Sequence, residues 1–75
     1  MLYNIFMNKF RERFKQILEE KGISQNAFAK RIGMSQGVIN NYCTGKREPS
    51  LDTLVLISKE LGESLDFLLG VSDYR

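Results

Sequence analysis

The chain has 75 residues, a net charge of +2, no histidine and a single cysteine. One cysteine excludes an intrachain disulfide and a cysteine-spaced metal site, and the lack of histidine removes Ser-His and Cys-His nucleophile pairs, most zinc sites and the usual general base. There is also no carboxylate pair at a defined spacing and no glycine-rich phosphate loop, so an enzyme is disfavoured and no cofactor is expected. A chain of this length forms one domain, and a compact helical bundle is one of the few ways to stabilise it without staples. No apolar run approaches the roughly 18 residues that span a bilayer. The N-terminus is apolar first and basic afterwards, the reverse of a secretory signal. A cytoplasmic location fits the cysteine usage.

In chain order, the first predicted helix covers residues 8–21, with Phe10, Phe14, Ile17 and Leu18 at i, i+4, i+7 and i+8, and Gly22 as the stop. Residues 1–7 read either as an N-terminal arm, because Asn4 and Asn8 interrupt the run, or as a backward extension of this helix through Tyr3, Phe6 and Met7; Met7 is also a possible alternative start. The second helix begins at the N-cap Ser24 and runs to Ile32, with Ala27, Phe28 and Ile32 inward and Ala29 beside them. Gly33 ends it. Ser35 caps a third helix to Cys43, with Val38, Ile39 and Tyr42 inward and Gln36, Gly37, Asn40, Asn41 and Thr44 on the other side; Gly45 closes it.

Pro49 disfavours helix at Glu48. Ser50 then caps a fourth helix whose apolar face is Leu51, Leu54, Val55, Ile57 and Leu61, with Asp52 near its positive end. Gly62 stops it, and Ser64 caps a short fifth helix with Leu65, Leu68 and Leu69 inward and Gly70 at its end. Residues 71–75 read as a loose tail. No segment alternates with period two, so the fold expected is all-α, a compact five-helix domain over residues 8–70.

Charge is unevenly spread. Residues 24–47 carry Lys30, Arg31, Lys46 and Arg47 and no acid, whereas residues 48–75 set Lys59 and Arg75 against Glu48, Asp52, Glu60, Glu63, Asp66 and Asp73. A basic middle beside an acidic end suits a nucleic-acid-facing surface with a solvated back, although short chains also cluster charge by chance.

Residues 22–70, GISQNAFAKRIGMSQGVINNYCTGKREPSLDTLVLISKELGESLDFLLG, closely resemble the lambda-repressor-like helix-turn-helix domain of the Cro/repressor or XRE family. The resemblance covers about two thirds of the chain. It rests on several features in one order: Gln25 opening the second helix, Ala29-x-x-x-Gly33, apolar Phe28, Ile32, Met34, Ile39 and Tyr42, then GKREPSLDTL and SLDFLLG. Such a corner joins two helices at roughly 90–120° through a short turn. Alanine leaves room for the facing aliphatic side chain, and glycine adopts a conformation costly for residues with Cβ. A small helical bundle of any kind wants small residues at its corners. It does not require an outward helix face made almost wholly of uncharged amides, which pair bidentately with adenine in the major groove.

The resemblance implies that residues 24–43 form the helix-turn-helix and that the third helix is the recognition helix. Ser35, Gln36, Gly37, Asn40 and Asn41 are then the base-reading candidates, with Gln36 foremost. Gly37 is costly within a helix; either it lets the helix lie close to DNA or a bulkier side chain is simply not selected. Gln25 matches the family's phosphate-binding glutamine, aided by the helix N-terminus. Ser24 and Asn26 are weaker phosphate candidates, and Thr44, Lys46 and Arg47 lie where the family's next loop meets the DNA backbone. Their alternative is a solvated polar face or loop. Lys30 and Arg31 are expected to act at long range.

Some family members join the first helix to the end of the recognition helix by an Arg–Glu ion pair. The matching positions here are Leu18 and Cys43, so an apolar contact is expected to replace it.

The function expected is therefore sequence-specific binding of double-stranded DNA by a prophage-type repressor acting as a homodimer. The expected dimer surface is Phe67, Leu69, Val71 and Tyr74, with Leu2, Tyr3, Ile5 and Phe6 as the alternative. No separate dimerisation segment is evident, and one domain of a longer regulator remains open. Two rival readings are an antitoxin-like protein that also binds a toxin partner, and an interaction module that uses the fold without DNA.

Overall fold

The structure is a computed structural model, and residues 8–75 are described. The expectations for Leu2, Tyr3, Ile5 and Phe6, and for a backward extension of the first helix, lie outside the described residues. Five α-helices occur among the described residues: α1 (Phe10–Lys21), α2 (Gln25–Ile32), α3 (Gln36–Thr44), α4 (Leu51–Leu61) and α5 (Leu65–Leu69).

Local chemistry accounts for the boundaries. Ser24, Ser35, Ser50 and Ser64 each hold an extended backbone, and each Oγ accepts the N–H three residues on, from Ala27, Val38, Thr53 and Phe67 at 3.0–3.2 Å. Each bond satisfies one of the orphan donors of a helix start, an arrangement worth about 1 kcal/mol. The first helix differs. It starts at Phe10 rather than residue 8, because the Asn8 side chain accepts the Phe10 N–H at 3.0 Å.

The core links all five helices. Phe14, Ile17, Phe28, Ile39, Ile57 and Leu68 are fully enclosed. A chain of rings crosses three helices: Phe28 meets Phe14 edge-on at 5.3 Å, Phe14 stacks on Phe10 at 5.2 Å, and Phe10 meets the Tyr42 ring at 6.4 Å. Leu18 and Cys43 are both buried in this core, as their apolar replacement of an ion pair requires.

Most inward assignments on α2, α3 and α5 hold: Ile32, Val38, Leu65 and Leu69 are half-buried and pack against the core. Ala27 does not; it is exposed, and Ala29, beside it, is buried. On α4 only Leu54, Ile57 and Leu61 are buried, whereas Leu51 is 81% exposed and Val55 is also exposed. The α4 sequence carries a wider apolar stripe than α2 and α5 cover.

Residues 71–75 form no helix, yet they are tied down rather than loose. The Val71 and Ser72 N–H groups donate to the Asp66 carbonyl at 2.9 and 3.1 Å. Arg13 donates to the Phe67 and Ser72 carbonyls and pairs with Asp73 at 2.7 Å. Arg75 bridges Glu63 at 2.5 Å and Glu20 at 2.7 Å. These bonds, first to Glu63 and then to Glu20, raise the Arg75 guanidinium above its ordinary value. The two guanidinium carbons lie 4.2 and 4.9 Å from the centre of the Phe67 ring. Phe67 is consequently only 4% exposed and cannot offer its ring to a partner while this cover is in place.

Replacing Leu18 by Arg alone sets an unpaired charge where Leu18 is buried. It is expected to cost roughly 3–5 kcal/mol, read as a lower urea midpoint, and adding Cys43→Glu is expected to recover part of the loss. An unchanged midpoint in Leu18→Arg would contradict the apolar-contact account.

Candidate nucleic-acid interface

The corner between α2 and α3 is built from Ala29 and Gly33. Gly33 has φ +70°, in the left-handed region, and both its N–H and that of Met34 turn back to the Ala29 carbonyl. A Cβ at Gly33 would meet nothing within 4 Å, so its conformation rather than lack of space calls for glycine. Ala29 is buried on the α2 side, and Ile39 is enclosed on the α3 side.

This corner leaves one side of α3 free. At about 100° per residue, Gln36, Gly37, Asn40, Asn41 and Thr44 occupy an arc of roughly 140° opposite Ile39, Tyr42 and Cys43. Gln36, Gly37, Asn40 and Thr44 are exposed, and Asn41 is half-buried. No hydrogen bond among the described residues engages the side-chain amides of Gln36, Asn40 or Asn41. Each amide thus keeps a donor and an acceptor for an outside partner.

The remaining candidates divide by what already occupies them. Ser24 and Ser35 are caps first, since each Oγ accepts a backbone N–H, although each hydroxyl proton stays available. Thr44 Oγ1 donates to the Asn41 carbonyl at 3.3 Å, so its only proton is engaged. A phosphate needs a donor, which makes Thr44 the weakest of the phosphate set. Gln25 is half-buried as the first residue of α2, and Asn26 is exposed. Lys30, Arg31, Lys46 and Arg47 are all exposed. The Arg47 N–H donates to the Asn41 carbonyl at 3.3 Å, which ties the basic loop to the end of α3.

Lys15 escaped the sequence reading. It is exposed on α1 and lies close enough to Cys43 for its charge to oppose the upward push that burial exerts on the thiol. Its positive potential at the far end of α3 is partly offset by Glu19, whose charge acts on the same thiol in the opposite sense. The available signal was its position three residues before Leu18, which packs into the same core as Cys43. Of the four side chains expected at a dimer surface, Phe67 is buried, Leu69 is half-buried, and Val71 and Tyr74 are 76% and 87% exposed.

Two short helices joined at a tight corner, the second with an uncharged amide face beside exposed cations, have the form of a helix-turn-helix nucleic-acid-binding domain. The chain belongs to the helix-turn-helix family HTH_3, the XRE/Cro-C1 type of DNA-binding domain, whose family model matches residues 14–68. It is 43% identical over 60 residues to YonR, an SPbeta prophage-derived HTH-type transcriptional regulator of Bacillus subtilis strain 168, covering 80% of this chain and 56% of that protein. It is 30% identical over 59 residues to the HTH-type transcriptional regulator ImmR of the same strain, covering 79% and 46% respectively. The chain thus spans about half the length of these relatives. A transcriptional regulator from Listeria innocua has the same fold, with a TM-score of 0.81, 19% identity, and coverage of 92% of this chain and 64% of that one. The family is one of transcriptional regulators, not enzymes. No helix among the described residues is long and apolar enough to cross a membrane.

A Cβ at Gly37 would meet only Ser35 Oγ, at 4.0 Å. The protein's own packing therefore does not demand glycine there. Gly37→Ala is expected to stabilise the fold by on the order of 0.5 kcal/mol in a thermal melt. It is expected to weaken DNA binding, as a fluorescence-anisotropy titration would show. Unchanged binding would remove Gly37 from the DNA-facing set.

Proposed function

We propose that this chain is the sequence-specific DNA-binding part of a cytoplasmic transcriptional regulator of the prophage repressor type. It lays α3 in the major groove of a palindromic operator as one half of a homodimer. The observation that carries this reading is the free amide face of α3, set within a segment of residues 24–47 that contains four cations and no acid. The likeness to the prophage-derived YonR supports the prophage assignment.

The division of labour follows from the chemistry of each group. Gln36, Asn40 and Asn41 read base edges, with Gln36 placed at the N-terminus of α3 where helices of this kind enter the groove. Gln25, Lys46 and Arg47, with smaller contributions from Ser24, Asn26 and Thr44, hold the phosphates on either side and fix the register. Lys30, Arg31 and Lys15 raise the local potential and speed encounter. Two such domains related by a two-fold axis place their recognition helices about 34 Å apart, one turn of DNA. Linking two weak binders raises affinity through effective concentration. Leu69, Val71 and Tyr74 are the dimer contact in this reading. They stand in the acidic C-terminal part of the sequence, which phosphate repels.

Selection of bound sequences from random duplexes, followed by titration at several salt concentrations, tests the proposal. A recovered palindrome is expected; binding without sequence preference at any salt would overturn it. Gln36→Ala is expected to lose roughly 1–3 kcal/mol of discrimination at one base pair. Lys46→Ala is expected instead to weaken all sequences about equally and to reduce the salt slope by about one.

A further inference from the structure

Glu48 is out of character for its place. It is the first acid after residues 24–47, and it adjoins Lys46 and Arg47. A carboxylate beside phosphate-seeking cations repels the same phosphates. The structure gives it a different partner. Asn8, 40 residues away in the chain, donates from Nδ2 to Glu48 Oε2 at 2.8 Å. The other end of the same amide, Oδ1, accepts the Phe10 N–H that opens α1. Both halves of the Asn8 side chain are therefore used, one on the helix start and one on the loop.

The loop is thereby held from two directions. Its Arg47 N–H is bound to the Asn41 carbonyl of α3, and its next residue is bound to the start of α1. That start is itself anchored, since the Lys9 N–H donates to the Leu69 carbonyl at 3.0 Å and Phe10 is buried against Phe14 and Tyr42. Asn8, Arg11, Arg47 and Glu48 share the rim of a small hollow to which Phe10, Tyr42 and Gly45 also contribute, so a cation of α1 stands beside the same carboxylate. A basic side chain on an unfixed loop has to order its backbone when it meets phosphate, and that ordering weakens binding. On a fixed loop most of that order is already present.

We propose that Asn8 and Glu48 are positioning residues for DNA binding. Their hydrogen bond fixes the α3–α4 loop so that Lys46 and Arg47 meet the phosphates without prior ordering. The proposal rests on the phosphate role assigned above to this loop. It predicts that the carboxylate is needed as a hydrogen-bond acceptor and not as a charge.

Two variants of equal charge separate these possibilities. Glu48→Gln removes the charge and keeps a carbonyl acceptor for Asn8; Glu48→Ala removes both. In titrations against one selected duplex at several salt concentrations, Glu48→Gln is expected to bind at least as tightly as the parent chain. Glu48→Ala is expected to bind roughly tenfold more weakly than Glu48→Gln, with a shallower salt slope. Identical affinity and slope in the two variants would overturn the proposal. A reciprocal exchange gives a second test should Glu48→Ala not fold. Asn8→Asp alone opposes two carboxylates while keeping the acceptor for Phe10, and is expected to weaken binding. Adding Glu48→Gln exchanges donor and acceptor at the parent's net charge, and is expected to restore binding to the parent level; a double variant no tighter than Asn8→Asp would overturn the proposal. Arg47→Ala with Lys46→Ala serves as the control. A parent-like salt slope there overturns the phosphate role of the loop itself, a different failure from coincidence of the two Glu48 variants.

Discussion

The exposed amide face of α3 depends on the corner at which α3 leaves α2. Two small residues four apart fix it: Ala29, buried against the core, and Gly33, held at φ +70° with its N–H returned to the Ala29 carbonyl. Once the corner is set, Ile39, Tyr42 and Cys43 turn inward, and helical periodicity leaves Gln36 and Asn40 exposed and Asn41 half-buried on the outer side. A bulkier residue at Ala29 would push α3 outward, and a β-branched residue at Gly33 would resist the left-handed turn. The outward amide face of α3 is therefore a consequence of packing on its opposite side.

That packing has to be achieved by a short chain with no disulfide and no metal cluster among the described residues. The rings of Phe28, Phe14, Phe10 and Tyr42 run through α2, α1 and α3, so the helix that faces solvent is braced by α1 from behind. Four serine caps sharpen the starts of α2 to α5, which matters in helices of five to eleven residues. The C-terminal residues brace the other end, where Arg13 and Arg75 enclose Phe67 and join α5 to α1. Cation–π contacts at exposed sites are individually weak, so the brace works through number and not through any single bond.

Most of this was legible in the sequence because it is local. The serine caps, the glycine stops and the Ala29-x-x-x-Gly33 corner are set by residues within one turn of each other, and all of them occur where the sequence places them. What escaped is non-local. The burial of Phe67 depends on Arg13, 54 residues away by the hydrogen bond they share, and on Arg75 beyond α5. Asn8 read as an interruption of an apolar run because its partner Glu48 lies 40 residues on. The exposed Leu51 and Val55 read as core because apolar periodicity reports what a helix is able to bury, and not how wide a surface its neighbours provide. At the site, the identity of the free amides was readable from periodicity, whereas the engaged proton of Thr44 and the half-burial of Asn41 were not.

The central claim is that α3 meets base edges through its amides. The most direct measurement is an NMR titration of the labelled protein with a duplex containing its selected sequence, following the side-chain amide signals of Gln36, Asn40 and Asn41. The account predicts that these signals shift more than those of any other side-chain amide, and shift differently with a scrambled duplex. If they stay in place while the duplex binds, or if the shifts centre on α4 and α5, α3 is not the reading helix and the account is wrong.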